Sequence, residues 1–195
     1  MTRAALRAAA ATALTLVLVF VAAACDSDDG LTERPDAAPS SAPSERRAEA
    51  RVSMGTITGH LPPAARERLA TAVGKVVDRW VRAAYFEGPY PRRDFSDSWP
   101  GFTRGAKRLA HRDRALMSNE DIGRRIDGVV PNRVVARLDV LSVKQRPVGV
   151  TARVQIGFGT TGEVERQVRV QGRLFLTRGP SGWQVFGYDM TKGAV

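Results

Sequence analysis

Val148-Gly149-Val150-Thr151-Ala152-Arg153-Val154-Gln155-Ile156-Gly157-Phe158 decides the fold class. Its large apolar residues fall on every second position, the period of a strand with one buried face. Upstream the period is different. Leu69, Val73, Val76, Val77, Trp80, Val81 and Ala84 recur at spacings of three and four, which predicts a long helix over residues 64–87. Arg66, Arg68, Lys75, Arg79 and Arg82 lie mostly off that face. Pro62 and Pro63 mark the start, and Gly88-Pro89 the stop. Gly74 inside this helix costs about 1 kcal/mol against alanine, so another element is expected to approach closely there.

Downstream, Val164, Val168, Val170, Leu174 and Leu176 continue the strand period, with Gly172 placed for a bend or bulge. An earlier strand begins near Arg133. Its apolar phase switches between Val140 and Leu141, which predicts a bulge. The last strand covers residues 183–188. Gly159-Thr160-Thr161-Gly162 and Gly179-Pro180-Ser181-Gly182 are short connections that favour antiparallel hairpins. Between the first helix and the strands, residues 90–101 read as a loop with aromatic anchors. A second helix is expected over 102–114, with Phe102, Ala106, Leu109 and Ala110 inward. A short third helix is expected over 119–126, capped by Ser118 or Asn119. Helices followed by strands argue for α+β: N-terminal helices packed on a curved antiparallel sheet of about four strands, in one domain over 51–195.

Residues 25–50 hold Pro35, Pro39 and Pro43, many alanines and serines, and one large apolar residue, Leu31. Such a segment buries too little apolar surface to offset its chain entropy and reads as a disordered tether. Its reach is about 25 Å as a flexible coil and about 60 Å if stiffened by proline. Residues 25–44 carry five acids and one base, whereas 45–195 carry 27 bases and 15 acids.

The N-terminus has Arg3 and Arg7, then an uncharged run from Ala8 to Ala24, then Val21-Ala22-Ala23-Ala24-Cys25 at its end. This is the pattern of a secretory signal. Cys25 is the only cysteine, and its position resembles the lipobox of bacterial lipoproteins, with Ala22 where that pattern most often has Leu. The resemblance implies a diacylglycerol thioether on Cys25, removal of residues 1–24 and a lipid anchor at the extracytoplasmic face of the cell membrane. The residues also fit ordinary signal cleavage with a free thiol at Cys25. They fit a retained anchor as well, since 17 uncharged residues reach the lower limit of about 17–25 for a spanning helix. Only Lys75, Lys107, Lys144 and Lys192 are lysines among 30 bases. This arginine and alanine bias resembles proteins of GC-rich genomes, actinobacteria among them.

Helices, then a meander, then Gly182-Trp183-Gln184-Val185-Phe186-Gly187-Tyr188-Asp189 make an order that resembles the nuclear transport factor 2-like superfamily over about residues 64–190. The resemblance implies a cone in which a curved sheet wraps the long helix. It also admits isomerase- or cyclase-type enzymes with acids, His or Tyr in the cone mouth. No motif transfers such a role. Tyr90, Asp94, Asp97, Trp99 and His111 are the candidate pocket or rim residues. As simple structure, Asp94 and Asp97 would turn the loop, His111 would sit at the surface, and the aromatic group Tyr85, Phe86, Tyr90, Phe95, Trp99 and Phe102 would pack in the core.

His60 and His111 lie too far apart for zinc-like spacing, and no metal or other cofactor is expected. Gly-x-Ser-x-Gly and phosphate-loop motifs are absent from the sequence. Nine bases between residues 92 and 125 face five acids. Arg104, Lys107, Arg108 and Arg112 are the candidates for contact with an anionic lipid surface. No nucleic-acid motif accompanies them. The expected function is a membrane-anchored envelope lipoprotein that binds a partner protein or an apolar ligand. The alternatives are a membrane-surface enzyme using the cone, or an accessory subunit of envelope lipid transport.

Overall fold

The computed structural model describes residues 50–195. The expected signal peptide over 1–24, Cys25 and the expected tether up to residue 49 lie outside the described residues. The described residues all belong to one compact unit.

The elements run β1 Arg51–Thr58, α1 Pro63–Val81, a π-helical turn Arg82–Phe86, α2 Arg104–Arg112, α3 Arg114–Met117, β2 Gly128–Val143, β3 Arg146–Thr161, β4 Gln167–Gly179 and β5 Gly182–Ala194. The sheet order is β1-β2-β3-β4-β5, with β1 parallel to β2 and the other neighbours antiparallel. The protein is therefore α+β, a helix packed on a five-stranded mixed sheet. The sequence reading of an antiparallel sheet of about four strands behind N-terminal helices is corrected by β1. Among the described residues that strand precedes every helix, and the chain passes through α1, α2 and α3 before returning parallel to it, as parallel pairing requires. β1 escaped notice because its apolar alternation breaks. Val52, Met54 and Ile57 are its core-side residues, and the register with β2 shifts between Met54 and Ile57.

The apolar face of α1 is the expected one. Leu69, Val73, Val76, Val77, Trp80 and Val81 are buried. A Cβ on Gly74 would come 2.9 Å from Val52 Cγ2, so β1 is the element that needs a glycine there. Trp80 is fully buried and its indole N–H donates to Met117 O at 3.4 Å. At the π-helical turn the free carbonyls find partners in the next segments. Arg92 Nη1 donates to Ala83 O at 2.8 Å, Asn119 N to Ala84 O at 3.1 Å, and Asn119 Nδ2 to Tyr85 O at 2.9 Å. These bonds satisfy the helix terminus from loop residues rather than from a local cap.

They also explain the missing third helix. Over 119–126 the chain forms successive turns instead, because Asn119 is held by the end of the π-helical turn and Gly123 is pressed against the Phe95 ring. The second helix is shorter than expected. Thr103 caps it through Ala106 N at 3.2 Å, and it breaks at Asp113. Leu109, expected inward, is 40% exposed.

In β2 the register with β3 does shift, between Leu141 and Ser142. The phase does not switch: Val140 and Ser142 are buried while Leu141 and Val143 point out. Val148 is exposed, Val164 lies in the β3–β4 connection, and β5 runs well past residue 188. Gly172 sits at φ +148, where a Cβ would run into Asp189 O.

Candidate functional site

Strand alternation sends Ala136, Leu138, Val140, Ala152, Val154, Leu174 and Leu176 into the core beneath α1. The residues between them form the opposite, open face of the sheet. There the register sets Arg137 opposite Arg153, Arg153 opposite Arg173, and Arg173 opposite Asp189. Two residues along the strands the next row reads Asp139, Thr151, Phe175 and Gly187, and beyond it Leu141 pairs with Gly149. An open groove of about 520 Å³ lies over the last two of these rows and reaches the first at Arg153; Leu141, Phe175 and Phe186 line it, and Thr56 and Thr58 bound it on the β1 side. The rings of Phe175 and Phe186 stand 6.3 Å apart. The floor on β3 is small: a Cβ on Gly149 would meet nothing within 4 Å.

Arg153 joins the two halves of this face. Its Nε donates to Asp139 Oδ2 at 2.7 Å, and the Thr56 N–H donates to Asp139 Oδ1 at 3.0 Å. The Arg153 hydrogen bond, then the Thr56 N–H and the nearby charges of Arg153 and Arg137, hold the Asp139 carboxyl below its usual range. Arg173 Nη2 pairs with Asp189 Oδ2 at 3.1 Å. Arg137 has no acidic partner among the described residues. Arg153 is 63% exposed in its pair, so the bridge adds little stability and leaves the guanidinium reachable.

The residues singled out from sequence do not meet around one cavity. Tyr90 OH donates to Tyr85 O at 3.0 Å and accepts from Asn119 Nδ2 at 3.3 Å. Burial raises the Tyr90 phenol above its ordinary value. Asp94 accepts from Ser96 N at 2.8 Å, a local turn, and that bond lowers its carboxyl. Asp97 is exposed. Trp99 is buried and donates to Met117 O at 3.2 Å. His111 is exposed on α2, its ring 5.9 Å from that of Trp99. Arg104, Lys107, Arg108 and Arg112 are brought together: all are exposed on α2, at helical spacings that share one face.

A second concavity, about 360 Å³, is lined by Ala115, Leu116, Asp121, Arg166 and Lys192 among others. Lys192 Nζ donates to Ala115 O, Ser118 O and Asp121 Oδ1 at 2.9, 2.7 and 2.6 Å. Burial lowers the Lys192 ammonium and the Asp121 hydrogen bond opposes that shift. All three of its donors are taken, so it acts as a clasp between β5, α3 and the segment that follows α3. Among the described residues, no three His, Cys, Asp or Glu side chains gather as a metal group, and no helix is long and apolar enough to cross a membrane.

The arginine row was missed in the sequence because each residue is isolated there. The available signal was parity. Arg133, Arg137, Arg153, Arg169 and Arg173 all occupy the polar positions of alternating strands, and only the register lines them up. No protein-family model, curated protein or solved structure matches the chain.

Proposed function

We propose that the chain is a lipid-anchored, extracytoplasmic binding module of nuclear transport factor 2-like fold that takes its partner on the open sheet face. The observation that carries this is where space exists and where it does not. Between α1 and the sheet the interior is filled by Trp80, Tyr85, Trp99, Phe102 and Phe158, all buried. An isomerase or cyclase needs an acid or base within hydrogen-bond reach of a substrate. The Tyr85 hydroxyl in that interior is engaged by Leu116 O at 2.7 Å. The groove and its arginines lie on the other side of the sheet. A photoreactive residue at Phe186, in cells that make the protein, should crosslink to a partner, while one at exposed Glu67 on α1 should not. Equal crosslinking at the two positions would count against the reading.

The anchor rests on the signal-like run before Cys25. Two acyl chains would meet the need for two membrane signals, each buried CH₂ contributing roughly 0.8 kcal/mol. Intact mass of the protein purified from membranes should show a lipid-modified Cys25 at the N-terminus. A chain beginning at Met1, or a free thiol at Cys25, would remove the anchor from the account.

A second reading concerns the basic face of α2. Its four bases support contact with an anionic leaflet, at about 1 kcal/mol per base near the surface and fading within a Debye length of about 8 Å. Replacing all four with Gln should then weaken binding to anionic vesicles at low salt. No change on replacement would leave α2 as a solvated surface.

A further inference from the structure

We propose that the groove on the open sheet face binds a single-chain anionic amphiphile, an alkyl chain bearing a phosphate or carboxylate head. This rests on the reading of that face as the binding surface. The groove is a trough along β3. Gly149 and Thr151 form its floor, Leu141 of β2 rises on one side, and Phe175 with Phe186 rises on the other. Its volume is about 520 Å³, and it is open to solvent. The trough leads along the strand from Gly149 past Thr151 to Arg153. An alkyl chain fits the apolar walls, and the head meets Arg153, the base that lines the groove.

That row sets three guanidinium groups against two carboxylates, Asp139 and Asp189, and so keeps a net positive charge. Like charges placed directly opposite on neighbouring strands destabilise a sheet, yet Arg137, Arg153 and Arg173 occupy three successive strands in register. The planar guanidinium fork matches carboxylate and phosphate oxygens. Asp139 holds Arg153 when the site is empty, through one exposed ion pair. A ligand head competes with Asp139 for the Arg153 guanidinium, while the Thr56 N–H stays on Asp139 Oδ1. The apolar walls exclude a bare anion as the preferred ligand, and the arginines exclude a neutral alcohol.

The test uses the whole chain in phosphatidylcholine nanodiscs, titrated calorimetrically with octyl phosphate, octanol and inorganic phosphate. Octyl phosphate should bind once per chain, at least tenfold more tightly than either control. Gly149→Leu fills the floor where the added Cβ meets open space, and it should weaken binding at least tenfold. Arg153→Gln should do the same and serves if the glycine variant fails to fold. The Arg104, Lys107, Arg108 and Arg112 quadruple Gln variant should bind as wild type does. Octyl phosphate binding no tighter than octanol, or equal loss in the α2 variant, would overturn the proposal. Absence of octyl phosphate binding alongside a Phe186 crosslink overturns the amphiphile alone. Absence of both overturns the binding face as well.

Discussion

Arg137 stands directly opposite Arg153 across the β2–β3 ladder, and both are exposed on the open face. The pairing is unfavourable in an isolated domain, because the two guanidiniums share one nearby carboxylate, Asp139, which pairs with Arg153. Arg137→Thr should therefore raise stability, by about 0.2–1 kcal/mol, with threonine also suited to a strand. Urea unfolding is the check. A loss of stability would mean that Arg137 contributes to the fold rather than to the face.

Asp139 gives the same region a signature in pH. Its carboxyl is held low by the Arg153 hydrogen bond first and the Thr56 N–H second. A depressed folded-state pKa contributes stability that is complete above the ordinary carboxylate value. That stability is lost as pH falls through the folded value. Carbon NMR should find Asp139 titrating below the usual aspartate range. Arg153→Gln should move it upward and make the acid side of the stability curve shallower. An unmoved Asp139 in that variant would mean that the ion pair is not populated in solution.

Lys192 makes a separate prediction about the fold. Its side chain is only 6% exposed, and its three bonds tie β5 to residues 115–121. Lys192→Met takes a donor from the carbonyl of buried Ser118, at about 1–3 kcal/mol for an unsatisfied group. Amide exchange over residues 114–123 should accelerate more than exchange in β3. Unchanged exchange in that segment would show that Lys192 is dispensable there.

Much of the fold was legible because periodicity survives packing. The helical face from Leu69 on α1 to Ala84 in the π-helical turn and the core side of β3 from Val150 to Phe158 are where spacing places them. Legibility failed where tertiary contacts override local pattern. Val52, Met54 and Ile57 form a strand only because β2 supplies a partner and Gly55 breaks their alternation. Residues 119–126 have helical spacing, but Asn119 is committed to the Ala84 and Tyr85 carbonyls. The groove was less legible still. Leu141, Phe175 and Phe186 sit in three strands, and nothing short of the register brings them together. The α2 bases were visible because helical spacing is local.

The most direct test of the central claim uses the fact that Cys25 is the only cysteine. A single cysteine is introduced at Phe186 on the open face, or at Glu67 on α1 as the control. Each variant is labelled with a maleimide in intact cells and again after purification. The account predicts that Phe186→Cys is protected in cells and labelled when purified, while Glu67→Cys is labelled in both. Equal labelling of Phe186→Cys in cells and in purified protein would contradict the claim that the open sheet face is occupied by a partner.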